Sequence, residues 1–146
     1  MLKNIKKVFI LKDKSSNNID EIDVNFLKEN DKVLSVNPIS KAKEESSIVL
    51  IYEYFDDEAV VIDGKFYSLN NMMFVRKNNI EEFIPVNKID TTYEKYLVNE
   101  NTFSKIHTVE KIEAPINIKS FKTNLHNNYI CGIVVLRDQD RNFLDA

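Results

Sequence analysis

The dipeptide Asp63-Gly64 constrains the fold of this chain more than any other feature, because it separates two runs of strand-forming residues. Residues 59–62 precede it and residues 65–69 follow it. A two-residue Asp-Gly connection is typical of a type I′ turn, in which both central residues have a positive φ. The chain has only two glycines, so a glycine at this position indicates a requirement of the backbone. The sequence therefore predicts a β-hairpin over residues 59–69.

Other apolar runs predict further strands. Residues 48–55 are apolar almost throughout, which is typical of a strand that is buried on both faces at the centre of a sheet. Pro85 limits residues 80–86 to an edge strand or a loop, because proline cannot donate a ladder hydrogen bond. We expect a charged loop at 41–47 and a short strand or packed loop at 99–117. The remaining strands are predicted at residues 6–11, 33–36, 72–76 and 129–136.

Two segments carry signals for helices. Asn18, with Glu21 three residues later, fits a capping box, and an apolar stripe at helical spacing continues as far as Asn30-Asp31. That stripe consists of Ile19, Ile22, Phe26 and Leu27. A second helix is predicted to begin at Thr92, with Thr91 or Thr92 as its cap. Its apolar face would hold Tyr93, Tyr96 and Leu97.

These elements predict an α+β fold, in which a mainly antiparallel sheet of about five to seven strands carries two packed helices. A chain of 146 residues with 43% hydrophobic and 29% charged residues is typical of one globular domain. We therefore expect a single domain over residues 1–146, with a charged tail at 137–146 that frays. The apolar run at 8–11 is too short for a signal peptide, and no run is long enough to cross a membrane. The sequence predicts a cytoplasmic protein.

The order of the predicted elements in residues 1–55 is strand, helix, strand, strand. The sequence motifs are a Lys-Val-Phe strand, an Ile-Asp-x-x-x-x-Phe-Leu helix, a Lys-Val-Leu-Ser-Val strand and an Ile-Val-Leu-Ile-Tyr-Glu strand. This βαββ pattern resembles a group of small clostridial and phage-borne proteins, some of which are labelled sporulation proteins. The resemblance implies an origin in a low-GC bacterium or its phages, and no catalytic residue carries over from it.

The sequence lacks the motifs that are typical of nucleotide-binding, metal-binding and nucleic-acid-binding proteins. Two glycines are too few for a phosphate-binding loop or a dinucleotide fingerprint, so we expect no nucleotide cofactor. His107 and His126 stand nineteen positions apart, far from the short spacing of zinc ligands, so we expect no metal site. Cys131 lies in an apolar run, where a thiol packs as a small hydrophobe. The net charge of −3 argues against nucleic acid as a partner.

Acidic residues are concentrated where the run at 48–55 turns into the hairpin. They could form a solvated loop, a surface for a basic protein, or a site for a hard cation, although their spacing does not fit a calcium-binding loop. Tyrosines border them, and tyrosine is frequent at recognition surfaces. We therefore predict a partner-binding surface that consists of Glu53, Asp56, Asp57, Glu58, Asp63, Tyr52, Tyr54 and Tyr67.

The absence of a recognisable catalytic motif and the presence of this acidic surface together predict a function. We expect a non-catalytic protein-binding factor, with an accessory or inhibitory role, that is encoded by a phage or mobile element. Its partner would be a host protein with a basic surface. Two alternatives remain open, which are a self-assembling structural component, with the chain forming a homo-oligomer, and a small enzyme with dispersed catalytic residues.

Overall fold

Strands dominate the fold. The computed structural model describes residues 2–3, 7–13 and 18–139. In that part of the chain, two 3-10 turns at Val24–Phe26 and Val86–Lys88 are the only helical structure. The strands are β1 (Leu2–Lys3), β2 (Lys7–Asp13), β3 (Asn18–Asp23), β4 (Lys32–Val36), β5 (Lys43–Ile62), β6 (Lys65–Ser68), β7 (Asn71–Lys77), β8 (Ile80–Pro85), β9 (Glu94–Leu97), β10 (Thr102–Lys105), β11 (Val109–Thr123), β12 (Tyr129–Cys131) and β13 (Val134–Asp138).

The described strands form two sheets. The first has five strands, in the order β1-β11-β5-β4, with β6 also paired to β5. The longest pairing in this sheet is the antiparallel ribbon of β5 and β11. Its register runs from Val109 opposite Ile62 to Thr123 opposite Ile48. The second sheet has eight strands, in the order β10-β9-β7-β13-β12-β2-β3, with β8 also paired to β7. The connection from β6 to β7, Leu69-Asn70, passes from the first sheet to the second.

The main hydrophobic core lies between the two sheets. Ile48, Val60 and Phe121 contribute to it from the first sheet, and Met73 and Leu136 contribute from the second. A smaller cluster packs elsewhere against the second sheet, around Leu34, Val36, Phe74, Tyr96, Ile130 and Val135. Side chains from both sheets therefore depend on one another for their burial, which is the usual basis of a two-layer β fold.

The predicted hairpin is confirmed. Ile62 pairs with Lys65 across the turn, and the two turn residues have positive φ values of 48° at Asp63 and 82° at Gly64. The strands predicted at 33–36 and 72–76 are also confirmed, as β4 and β7, and β2 matches the strand predicted at 6–11 from residue 7 onward. Residues 80–85 form β8, which pairs with β7, so this ambiguous segment is a strand.

The run over 48–55 forms a strand, but the prediction that it is buried on both faces is wrong. It belongs to the twenty-residue strand β5, which also includes residues 43–47 of the predicted charged loop. Leu50 and Phe55, whose positions in the strand have opposite parity, are 42% and 47% exposed. The strand has hydrogen-bonded neighbours along its edges, yet part of each face is open to solvent.

Neither predicted helix forms. Residues 18–23 are β3, which pairs with β2 from Lys7 opposite Asp23 to Asn18 opposite Asp13. The cap in this region is Asp23, whose carboxylate accepts a hydrogen bond of 2.9 Å from the backbone N–H of Asn25. Phe26, which was expected on the buried stripe, is 76% exposed. Pairing with the preceding strand outweighs the capping signal, and the N-terminal βαββ pattern is therefore wrong.

The second helix is replaced by a hairpin. The Asp90 carboxylate accepts a hydrogen bond of 2.9 Å from the backbone N–H of Thr92, which makes a turn instead of a helix cap. Tyr96 then lies in β9, opposite Phe103 of β10. The predicted α+β fold is wrong, because the described chain is almost entirely β.

The C-terminal part of the chain also differs from the prediction. Residues 129–136 do not form one strand, since Gly132, with a φ of 61°, lies in a turn that separates β12 from β13. Arg137 and Asp138 belong to β13 and are not frayed. The rest of the predicted tail, 140–146, lies outside the described residues. In the described chain, no helix has the length and apolar character needed to cross a membrane.

The turn at Gly64 gives a first prediction. A Cβ at this position would meet no atom within 4 Å, so the cost of a substitution is one of backbone conformation alone. Gly64→Ala should lower the free energy of unfolding by about 1–2 kcal/mol, because L-residues are disfavoured at positive φ. Gly64→Asn should cost less, since asparagine tolerates this region. Urea denaturation of the two variants tests this, and equal stabilities for alanine and asparagine would contradict it.

Candidate functional site

Four polar side chains, three of them buried and one half-buried, meet where the two sheets join. They form what we call the central polar cluster, which consists of Tyr52, Asn71, Tyr129 and Asp138. Asp138, Asn71 and Tyr129 are each 1% exposed. The Asp138 carboxylate accepts hydrogen bonds from the Asn71 amide at 2.9 Å, from the Tyr129 hydroxyl at 3.0 Å and from the Tyr52 hydroxyl.

The strand register positions each member of the cluster. Asp138 of β13 and Asn71 of β7 are directly opposite in the second sheet, and the Asn71 amide is also 3.3 Å from the Tyr129 hydroxyl. Tyr129 follows from β12, with its ring centroid 4.7 Å from that of Phe121. Tyr52 reaches the carboxylate from β5 of the first sheet. The cluster is thus held by strands of both sheets.

Three hydroxyl-bearing residues extend the cluster within the first sheet. Ser120 lies opposite Tyr52 in the β5–β11 ribbon and is hydrogen-bonded to both Tyr52 and Tyr129. The Tyr54 ring centroid is 5.8 Å from that of Tyr52, and the Tyr54 hydroxyl is 2.8 Å from Oγ of the buried Ser68. A row of polar groups therefore runs from Ser68 through the two tyrosines to the carboxylate of Asp138.

The electrostatics of the cluster keep its phenols protonated. Burial, together with the neighbouring negative charge of Asp138, raises the pKa of Tyr52 far above its ordinary value of 10. The same two causes raise the pKa of Tyr129. Both phenols are therefore hydrogen-bond donors at neutral pH, and the Asp138 carboxylate accepts from both.

The connection Leu69-Asn70 forms one wall of this region. The backbone N–H of Gln139 donates to the Asn70 carbonyl at 2.7 Å, and the Gln139 side-chain amide donates to the Leu69 carbonyl at 2.8 Å. Asn70 is fully buried, with 0% exposure. In the described part of the chain, neither polar atom of its carboxamide has a hydrogen-bond partner. The chain that follows Asp138 is thus fixed against a turn that carries an unsatisfied amide.

The structure disperses the acidic residues that were predicted to form one surface. Asp56 is buried, at 8% exposure, whereas Glu53, Asp57 and Glu58 are exposed. Glu53 lies opposite Lys119 and lines, with Asn25, Phe55 and Lys119, an open groove of about 440 Å³. A partner-binding role for these residues stays a prediction.

Asp63 has a structural role in the hairpin turn. Its carboxylate binds the Lys95 ammonium at 2.5 Å and the backbone N–H groups of His107 and Thr108 at 2.8 and 2.9 Å. Burial opposes ionisation of this carboxyl, but the hydrogen bonds from Lys95, Thr108 and His107 outweigh it and lower the pKa of Asp63. Asp63 therefore joins the hairpin to the start of β11.

The three predicted tyrosines are not surface anchors of an acidic loop. Tyr52 and Tyr54 are half-buried and belong to the polar row described above. Tyr67 is buried in the main core, and this burial raises its pKa.

The remaining residues singled out from the sequence lie apart from one another. His126 Nε2 is 3.3 Å from Glu44, and His107 is exposed. Cys131 is half-buried and packs against the main core on the same strand as Tyr129. Among the described residues, no group of three or more histidine, cysteine and acidic side chains is arranged to hold a metal ion.

Sequence reasoning missed Asn70, Asn71, Ser68 and Asp138 as site residues. Asp138 was assigned to a fraying tail. It lies two residues after the buried Leu136, however, so in a strand its side chain is on the same face as that of Leu136 and faces the core. The two asparagines fall between the apolar runs 65–69 and 72–76, where they are typical of a simple turn.

Comparisons with known proteins identify the fold. No family model and no curated protein matches the sequence. The intein-like domain from Clostridium thermocellum has a TM-score of 0.68 at 15% identity, with 95% of this chain and 100% of that one covered. The DnaB intein from Synechocystis has a TM-score of 0.65 at 6% identity, with coverages of 93% and 98%.

A class 3 split intein gives a TM-score of 0.68 at 11% identity, with coverages of 96% and 98%. That structure is a splice-inactive variant, in which one cysteine and one asparagine are replaced by alanine. At these identities the matches show a shared fold. The chain has the β-rich fold of inteins.

This fold overturns the predicted function. Inteins are self-splicing and therefore catalytic, so the predictions of a non-catalytic, inhibitory protein-binding factor and of a protein that is not an enzyme are wrong. Neither alternative, a self-assembling component or a small enzyme with dispersed catalytic residues, is supported. The resemblance of residues 1–55 to small clostridial and phage-borne proteins is untested by these structures.

The contacts of Asp63 give a second prediction. A carboxyl whose pKa is lowered by folding adds stability above its unfolded pKa of about 3.9, and this stability is lost as the pH falls toward the folded pKa. Asp63→Asn should therefore lower the free energy of unfolding by about 1–3 kcal/mol at neutral pH, with a smaller deficit in acid. Urea denaturation across this pH range measures the deficit. The exposed Asp57→Asn is the matched control, and an equal, pH-independent effect in both variants would contradict the role of Asp63.

Proposed function

We propose that this chain is a self-processing domain, which rearranges or cleaves a peptide bond in the polypeptide that contains it. Two observations support this proposal. The fold matches inteins over nearly the full length of both partners, and a buried polar cluster lies between the sheets. The observation that carries it is Asp138, a buried carboxylate with three bound donors that lies one residue from a chain segment fixed at Gln139.

The nucleophile in this proposal is the Ser68 hydroxyl. Its oxygen attacks the carbonyl carbon of the reacting peptide bond, a C–O bond forms, and the C–N bond breaks. The proton of the hydroxyl goes to the departing amine, and the product is an ester at Ser68. Water, or a second nucleophile in the same polypeptide, then takes the acyl group from the ester.

Neighbouring side chains orient the groups that take part in this step. Tyr54 holds the Ser68 hydroxyl in place at 2.8 Å. At the other end of the polar row, the Asp138 carboxylate accepts hydrogen bonds from the phenols of Tyr52 and Tyr129, which fixes the arrangement of the row. Ser68 and Asp138 are buried, and low exposure to solvent strengthens the electrostatic contacts around them.

Cys131 is the other side chain with nucleophilic potential on the strand that carries Tyr129. A thiol is the stronger nucleophile when it ionises, which requires an electropositive setting. Cys131 packs among hydrophobic side chains of the main core, beside Tyr129 and Tyr67. The hydroxyl of Ser68, which is held within the polar row, fits the reaction better.

The proposal is tested by placing the chain between two marker domains and following the intact mass of the fusion. The wild type should yield shorter products, and Ser68→Ala should yield none. Asp138→Asn should slow processing by about 10²-fold or more, because it replaces the carboxylate that orders the polar row by an amide of nearly the same size. Asp57→Asn makes the same chemical change on an exposed part of β5 and should process normally.

Cys131→Ser separates the two nucleophiles. It should process at the wild-type rate if Ser68 reacts, whereas loss of processing in Cys131→Ser with retention in Ser68→Ala would refute the role of Ser68. A wild-type fusion that stays at its unprocessed mass would overturn the proposed function.

A further inference from the structure

Gln139 is bound twice to the connection between β6 and β7. Its backbone N–H donates to the Asn70 carbonyl at 2.7 Å, and its side-chain Nε2 donates to the Leu69 carbonyl at 2.8 Å. In the described part of the chain, no other side chain donates a hydrogen bond to the backbone of this two-residue connection. The backbone contact is open to any residue except proline at position 139, whereas the side-chain contact requires a donor.

The connection lies between two groups of the site. Ser68, the proposed nucleophile, pairs with Ala59 in β6, and Asn71 lies opposite Asp138 in β7. The Leu69 side chain packs against the main core. The Leu69 carbonyl belongs to a planar peptide group that begins one residue after Ser68. A hydrogen bond that fixes this peptide group therefore also limits the backbone conformations open to Ser68.

The proposed reaction depends on the position of the Ser68 hydroxyl. That hydroxyl lies 2.8 Å from the Tyr54 hydroxyl, and Ser68 is buried. A displacement of about 1 Å in a reacting group can slow a reaction about 10²-fold. Gln139 directly follows Asp138, which the polar cluster holds by three hydrogen bonds. The Gln139 amide thus ties the connection after Ser68 to a strand end that is itself held at the site.

We propose that Gln139 is a positioning residue, whose side-chain amide holds the Leu69 carbonyl and thereby keeps the Ser68 hydroxyl in place beside Tyr54. Gln139 forms no bond with the reacting peptide group and takes no part in proton or acyl transfer. This inference rests on the proposed self-processing function. It adds that the β6–β7 connection must be joined to the end of β13 by a side-chain donor if the reaction is to run at its full rate.

Two substitutions of similar size test the need for a donor in the two-marker fusion. Gln139→Met removes the donor and should slow processing by about 10-fold to 10²-fold at every pH. Gln139→Glu places a carboxylate, which cannot donate, against the Leu69 carbonyl and should be equally slow at neutral pH. The matched control is Asn87→Asp, which exchanges an exposed amide for a carboxyl and should process at the wild-type rate.

The pH profile of Gln139→Glu distinguishes positioning by a hydrogen bond from a general loss of structure. A protonated carboxyl is again a donor. Partial burial, the hydrogen bond to Leu69 and the adjacent charge of Asp138 all favour this neutral form, so the pKa of the introduced carboxyl should lie above its ordinary value of about 4.3. As the pH falls through that pKa, the processing rate relative to the wild type should rise toward one. Gln139→Met should show no such recovery.

Urea denaturation identifies the conditions in which each variant is folded, and rates are compared only there. Slow processing by folded Gln139→Met, with recovery of Gln139→Glu in acid, is the expected result. If Gln139→Met does not fold, the profile of Gln139→Glu decides alone. The inference is wrong if folded Gln139→Met processes at the wild-type rate, or if the relative rate of Gln139→Glu does not change with pH. An unprocessed wild-type fusion would instead overturn the proposed function, and this inference with it.

Discussion

The buried carboxylate of Asp138 is the interaction on which the arrangement of the two sheets depends. Burial of a charge is costly unless hydrogen bonds replace its water, and Asp138 receives three. The donors come from β5 in one sheet and from β7 and β12 in the other. Removal of one donor would leave the charge poorly compensated, so the relative placement of the sheets is coupled to this one group.

The same interaction explains how two β-sheets can hold polar side chains together in a buried region. The strands of both sheets are rigid elements, and they bring hydroxyl, amide and carboxylate groups together at fixed distances. Preorganised groups of this kind lower the cost of orientation when a reaction begins. The β6–β7 connection adds further polar groups to the cluster, because it places Ser68, Asn70 and Asn71 where the chain crosses between the sheets. We propose that the scaffold serves this chemistry at its centre.

Some of the fold could be predicted from the sequence because its signals are local. Asp63-Gly64 forms the expected turn, since the φ values that it needs are properties of those two residues. The helix predicted from Asn18 and Glu21 fails, because pairing of β3 with the preceding strand β2 outweighs the capping signal. The site was missed because it depends on contacts between residues that are far apart in sequence, such as Asn71 and Asp138. Ser68, Asn71 and Asp138 can be recognised as site residues only in the folded chain, where the two sheets meet. The acidic run at 53–63, by contrast, stands out in the sequence but is dispersed in space.

Peptide mapping of the fusion after rapid acid quenching tests the account most directly, because it looks for the proposed intermediate itself. We expect the peptide that contains Ser68 to carry an additional acyl segment through an ester, which hydroxylamine removes. If processed products accumulate while the Ser68 peptide is never modified, or if the modification lies on Cys131, the proposed reaction centre is wrong.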